Sequence, residues 1–363
     1  MKVNLEGLTY QKYGDSPTIK SYTKWHLFEE NSPLTLPTQA PGKKLGIRGH
    51  IIFSGSDVEF NLPNNIEVGE GSLNLSHSQE SRILGFHFYA LKKAYKIRIE
   101  RDLREPLIIV SHLSEKAFVS HHLSIEIEKA SAPIILYDIS EKGTKSLVVE
   151  LAIREGSSEI LTIGNHSSLS HFLLRAILDR NSTLKTFTII KGGTMSHHRE
   201  DYSLEGKESK LVLAGLPVGI GSAVDYITNI VHYGKSSKSK IRVHGFSYKN
   251  GWVVHRGTSK ISEEAEGASS EVSSHVIIMD RGSLGVSVPM LEVDTGDIEN
   301  ASHSSSVTQI DEEALFYLRS RGLNREEALR LLIYGIGETL TSNLYFLKGK
   351  ARSTVIDVIQ ALI

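Results

Sequence analysis

The 363-residue chain contains no cysteine. That absence excludes disulfides, thiolate zinc sites, a cysteine nucleophile, and an iron–sulfur cluster held on thiolates of this chain alone. Tryptophan occurs twice, and aromatic residues make up 7% of the chain. A sugar-binding groove, which stacks rings on aromatic side chains, is therefore not expected. Charge of one sign is also lacking. Lys+Arg number 41 and Asp+Glu 42, a net charge of −1, so no nucleic-acid partner is expected. No apolar run approaches the roughly 18 residues of a membrane span. The start, MKVNLEGLTYQKYGD, has no apolar core of the secretory type. The Asn-x-Ser triplets at Asn165 and Asn300 are accordingly read as coincidental. The expectation is a soluble, cytoplasmic protein with no membrane partner.

Proline is scarce beyond residue 75. Pro17, Pro33, Pro37, Pro41 and Pro63 crowd the first part of the chain, which reads as irregular apart from a short strand at Ile51–Phe53. Ile83, Leu84, Phe86, Phe88, Leu91, Ala94 and Tyr95 then recur at helical spacing, which predicts a helix near 80–93. From about 97 to 300 the period drops to two. Ile97–Ile99, Leu123–Ile127, Leu147–Ile153, Ile160–Ile163, Leu184–Ile190, Lys210–Ala214, Tyr226–Val231, Ile241–Phe246, Val276–Met279 and Gly285–Val293 read as strands between Gly, Ser, Asn and Lys clusters. Two hundred residues of strands without intervening helices are too many for one ordinary sandwich, and this favours a solenoid. No fixed repeat length is legible. The last 55 or so residues are helical: Asp311 caps one segment that stops at Gly322, Asn324–Glu327 form a capping box for a second, and Thr354–Ile363 predict a third. The expected organisation is an N-terminal region 1–96, a β core 97–305 and a helical C-terminal domain 306–363.

Known phosphate and catalytic motifs fail. Gly234-Lys235-Ser236 lacks both the first glycine of a phosphate loop and a following apolar helix. Gly219-Ile220-Gly221 lacks the strand–helix context of a dinucleotide fingerprint. Histidine is frequent, with 16 copies, including the tandem pairs His121-His122 and His197-His198. Neighbours in a strand point to opposite faces, so neither pair suits one metal, and both read as structural or surface residues. His303 follows an acidic stretch, Glu292-Val293-Asp294-Thr295-Gly296-Asp297. Imidazole and carboxylate are competent iron or zinc ligands, which makes His303 the metal candidate and Glu292 and Asp294 weaker ones. From pattern alone a solvated loop is the plainer reading of His303. Glu292, Asp294 and Asp297 are also the residues that a lyase or esterase on a β-helix would use, but the low aromatic content weighs against that enzyme class.

Ser302-His303-Ser304 and the run Ile310-Asp311-Glu312-Glu313-Ala314-Leu315-Phe316-Tyr317-Leu318-Arg319-Ser320-Arg321-Gly322 resemble the C-terminal signature of the SufB/SufD family of iron–sulfur cluster assembly proteins. Gly267–Glu271, Val288–Val293, Ala328–Ile333 and the Phe88–Tyr95 segment fit the same pattern in the same order. The resemblance covers roughly residues 80–345. It implies a mainly β protein, with a right-handed parallel β-helix core, an irregular N-terminal region and a C-terminal α-helical domain. It also implies a non-catalytic scaffold subunit, paired with a SufB-like subunit and docked to a SufC-type ABC ATPase through the helices, where Phe316, Tyr317, Arg319 and Arg321 are the candidate contacts. Lack of cysteine makes the chain most like SufD. The family's interface histidine, a cluster or iron ligand, maps onto His303. The cysteine usual two residues earlier is Ala301 here, so no cluster is expected on this chain alone, only a transient one shared with the SufB-like partner. The alternative is a purely structural homodimer with no metal role.

Overall fold

The structure is a computed structural model and describes residues 3–10, 22–43, 49–63 and 66–341. The helix expected over Thr354–Ile363 lies outside the described residues. Elements are numbered in chain order. The entry segment holds α1 (Trp25–Glu30), the antiparallel pair β1 (Ile51–Ser54) and β2 (Asp57–Phe60), β3 (Ile66–Glu70) and α2 (Arg82–Ala90). Sequence periodicity found β1 but not α1, β2 or β3. These are four to six residues long, too short for a period to show, and α1 buries a single side chain, Phe28. Helix α2 stops at Ala90, short of the expected end, because Ala94 and Tyr95 already belong to the next strand.

Sixteen strands follow, laid alternately into two sheets. Sheet one takes β5 (Leu107–Leu113), β7 (Ser131–Ser140), β9 (Ser157–His166), β11 (Thr183–Lys191), β13 (Lys210–Ile220), β15 (Lys238–Tyr248), β17 (Ala268–Ile278) and β19 (Ile298–Gln309). Sheet two takes β4 (Ala94–Ile99), β6 (Phe118–Glu128), β8 (Thr144–Arg154), β10 (Leu169–Leu178), β12 (Met195–Leu204), β14 (Ala223–His232), β16 (Trp252–Ile261) and β18 (Leu284–Val293). From β6 on, each strand pairs in parallel with the strand two before it, so the chain winds as a parallel β-solenoid of about 8 turns. Stacked residues are 25 to 32 positions apart, the turns lengthening toward the C-terminus.

The repeat sits in the corners. Lys129, Glu155, Asn181, Glu208, Ser236 and Gly267 form a column of left-handed residues, φ 52° to 69°. Each is followed by a small residue: Ala130, Gly156, Ser182, Ser209, Ser237 and Ala268. Corner N–H groups of Asn181, Glu208, Ser236 and Gly267 donate to the carbonyls of Lys207, Lys235, Glu266 and Asp297, one turn on. The small neighbours let the backbone close over the solenoid edge.

Five layers result. The lumen between the sheets is packed by apolar side chains from alternate positions, among them Leu123, Leu147, Phe172, Leu211 and Val243. Helices α1 and α2 cover the outer face of sheet two, where Phe28 and Phe86 meet Phe118, Leu169 and Met195. Helices α3 (Glu312–Ser320) and α4 (Arg325–Thr341) cover the outer face of sheet one, where Leu315, Leu329 and Ile333 meet Leu161, Phe187 and Leu216. Strands such as β6 and β8 are therefore buried on both faces over almost their whole length. The helix signals worked as expected. Asp311 accepts from the N–H groups of Glu313 and Ala314, and Asn324 and Glu327 cap each other reciprocally at 2.8 and 2.9 Å. Gly322 takes φ +97° after α3. Among the described residues no helix is long and apolar enough to cross a membrane.

Candidate functional site

The two ends of the solenoid differ. At the first end the sheets finish in β2 and β3, antiparallel strands of four and five residues bearing Asp57, Glu59, Glu67 and Glu70. Short, charged edges of this kind resist pairing with another chain. At the other end the sheets finish in β18 and β19, 10 and 12 residues long, each carrying one charged residue, Glu292 and Glu299. Both strands are largely open to solvent, and Leu284, Met290, Val293 and Val307 are exposed apolar side chains on this rung.

His303 stands in the middle of β19, in register with Val272 of β17. The plainer sequence reading placed it in a loop; pairing with β17 makes the segment a strand despite its serine-rich, weakly apolar sequence. Ser305, two residues on, shares its face and bonds inward to Ser287 Oγ at 2.8 Å, so His303 belongs to the lumen-facing set. It is nevertheless exposed, because no further turn covers it, and it makes no hydrogen bond among the described residues.

A polar file leads inward from this rung. Ser287 Oγ donates to Ser274 Oγ (2.6 Å), which lies 2.7 Å from His255 Nδ1; His255 Nε2 is 3.2 Å from Thr228 Oγ1. Burial pushes His255 down to about 3, so it is a neutral relay between hydroxyls. Deeper still, Glu200 is fully buried and accepts from Thr188 (2.7 Å), Tyr202 (2.7 Å) and Tyr226 (3.0 Å), with His198 Nε2 at 3.0 Å. Burial alone would raise its carboxyl, but His198 and these hydroxyls hold it below the usual range. Lys145, also buried, meets Asp138 and donates to the Ser111 carbonyl at 2.8 Å. The only sequence signal for these groups was polar residues at inward positions of apolar strands.

The other expected site residues fall as follows. Glu292 and Asp294 close on Lys260 Nζ at 3.5 and 2.9 Å. Among the described residues no three His, Asp or Glu side chains converge to hold a metal ion. His303 is thus one available imidazole, not part of a complete ligand set. On α3, Leu315 turns inward, while Phe316 and Tyr317 are 71% and 57% exposed. Arg319 and Arg321 are exposed as well, and the Arg321 guanidinium lies over the Tyr317 ring at 5.2 Å. Both tandem histidine pairs split across their sheet, as strand geometry requires. His121 faces Ser111 (2.8 Å) in the lumen, while His122 lies 3.3 Å from His87 beneath α2. His198 faces Glu200, and His197 faces Asp225 at 3.2 Å. All four are buried.

The family model described as "SUF system FeS cluster assembly, SufBD core domain" matches residues 109–336. The chain is 26% identical over 287 residues to the iron–sulfur cluster assembly protein SufD of Bacillus subtilis, covering 76% of this chain and 63% of that protein. It is 27% identical over 222 residues to SufB of the same organism, covering 60% and 47%. A SufBD family protein of Mycobacterium leprae is 26% identical over 292 residues, covering 75% and 74%. The chain thus spans less than two thirds of the two Bacillus relatives.

Proposed function

Since the chain belongs to the SufBD core family of iron–sulfur cluster assembly proteins, we propose that it serves there as a SufD-like, non-catalytic subunit. In this reading β18 and β19 pair with the matching edge of a cysteine-bearing, SufB-like subunit, and the exposed face of α3 docks a SufC-type ATPase. The observation that carries it is the asymmetry of the two ends: one short and acidic, the other long, almost uncharged and open. Twelve strand residues offer a pairing edge of about 40 Å.

With no cysteine of its own, the chain supplies no thiolate. The cargo cluster or iron would take its sulfur ligands from the partner and one imidazole from His303, exposed on the rung that meets that partner. An imidazole in place of a thiolate raises a cluster's reduction potential and favours release.

The test is co-expression with a SufB-like paralogue, followed by sizing and cluster reconstitution. Met290→Lys with Val307→Lys should abolish pairing without unfolding the chain. His303→Ala should leave pairing intact and lower cluster loading of the complex. The same open edge also fits a second copy of this chain. A stable homodimer that neither exchanges with the paralogue nor takes up iron would replace this reading with the purely structural one.

A further inference from the structure

Away from the open rung, a cavity of about 150 Å³ lies between the outer face of sheet one and the end of α4. Val212, Ile336 and Leu340 give it apolar walls, and Lys240, Arg242 and His244 give it a basic floor. The three basic residues alternate along β15, so all project from the same face of the sheet. Their charges are unequally matched. Lys240 is held by Glu271 of β17 at 2.6 Å. Arg242 stands in register with Ser273 and Ala214 and has no carboxylate partner among the described residues. His244 is half-buried, and its Nδ1 is shielded from solvent with no hydrogen-bond partner among the described residues. The neighbouring His275 cannot serve it, because both of its ring nitrogens are engaged by Ser273 (3.0 Å) and Ser306 (2.6 Å).

An occluded ring nitrogen without a partner is costly, and a water or a ligand acceptor entering the cavity would satisfy it. A guanidinium offers paired donors in a planar fork that matches an oxyanion. We infer that this cavity binds a phosphate-type oxyanion, with Arg242 as the bidentate donor, His244 Nδ1–H as a second donor and Lys240 completing the charge. The volume admits a phosphate group but not a nucleobase with its sugar. Free phosphate and the terminal phosphate of a larger molecule share this chemistry. Because Ile336 and Leu340 form one wall, an occupied cavity would also brace α4 against the sheet.

The experiment titrates inorganic phosphate into the full chain by calorimetry, with ADP in a parallel arm, while imidazole resonances are followed by NMR. Saturable phosphate binding is expected, together with a shift of the His244 ring signals, identified by their loss in His244→Gln. Arg242→Gln should weaken binding roughly tenfold or more, the scale of one lost charge-assisted bidentate contact, and Lys235→Gln, at a distant corner, should not weaken it. Tighter binding of ADP would identify a larger phosphate-bearing molecule as the ligand, and tighter binding of phosphate the free ion. Absence of saturable binding in both arms, or equal weakening by the Lys235 control, would overturn the assignment.

Discussion

Val272 lies directly beneath His303 in paired strands, yet Val272 is 2% exposed and His303 is open to solvent. One added turn separates a core position from a surface one at the same point of the rung. Substitutions at the two sites should therefore part cleanly. His303→Ala is expected to leave the unfolding free energy within about 0.5 kcal/mol, as for surface positions. Val272→Ala should cost about 2 kcal/mol, the value of a buried branched side chain. Urea unfolding of both variants checks this. A large loss in His303→Ala would mean that the imidazole is packed, and its proposed ligand role would then lose its main support.

The contrast also explains what the sequence made legible. Strands such as β8 and β11 announce themselves because both faces are apolar or alternate strictly. Strands β5, β7, β10, β12, β16 and β19 were missed; in the last four, His171, His197, His198, Glu200, His255 and the serines around His303 interrupt the pattern with polar groups that are bonded inside the fold. Pro217 sits within β13, where the ladder to β15 is broken between Gly215 and Val218. The repeat escaped notice because turns vary in length, and its invariant part is only a left-handed corner residue followed by a small one. His303 was singled out by its family signature, while the basic floor of β15 lies in an ordinary-looking strand and becomes a cavity only where α4 crosses it.

Buried neutral histidines make the fold acid-labile in a definite window. Burial lowers His121, His166 and His232 to about 4 and His255 to about 3, against about 6.5 in the unfolded chain. Between those values the unfolded state binds more protons than the folded one. Stability from these groups is complete above pH 6.5 and is lost as pH falls toward 4. Each contributes up to about 1.4 kcal/mol per pH unit within the window. Urea midpoints should fall steeply from pH 6.5 to 4.5. His232→Gln, removing an imidazole bonded to Ser237 and Ser239 at 2.8 Å each, should flatten the slope by about one proton. A midpoint independent of pH across this range would contradict the assignment.

Phe316 and Tyr317 are exposed, whereas the neighbouring Leu315 is 1% exposed. Paired substitution to alanine at 316 and 317 should leave thermal unfolding unchanged and abolish capture of a SufC-type ATPase in co-purification. Arg321→Ala removes the cation over Tyr317 and should weaken capture by a smaller amount. Leu315→Ala serves as the opposite control, since losing a buried leucine costs about 2–5 kcal/mol. Undiminished capture by the 316/317 variant would move the docking surface elsewhere.

Asp225 anchors the N-terminal cover to the solenoid. It is fully buried, it accepts from Arg256 through Nε at 3.1 Å and through a second guanidinium contact, and it also takes the Thr23 hydroxyl and His197 Nδ1. Burial alone would raise its carboxyl, but Arg256 and His197 hold it far below the usual range, so it stays ionised. Asp225→Asn leaves Arg256 facing a neutral amide and should cost about 3–5 kcal/mol. Thr23→Val keeps the shape and removes only the donor, at about 1.5–3 kcal/mol for a bond to a charged group. Its effect should be local. Trp25, tilted against His197 with ring centroids 4.7 Å apart, should become more mobile and red-shifted in fluorescence, and α1 amides should exchange faster while lumen strands keep their protection. In the Asp225→Asn background the Thr23 substitution should cost markedly less. Additive losses across this double-mutant cycle would show that Thr23 holds the cover by packing and not through the carboxylate.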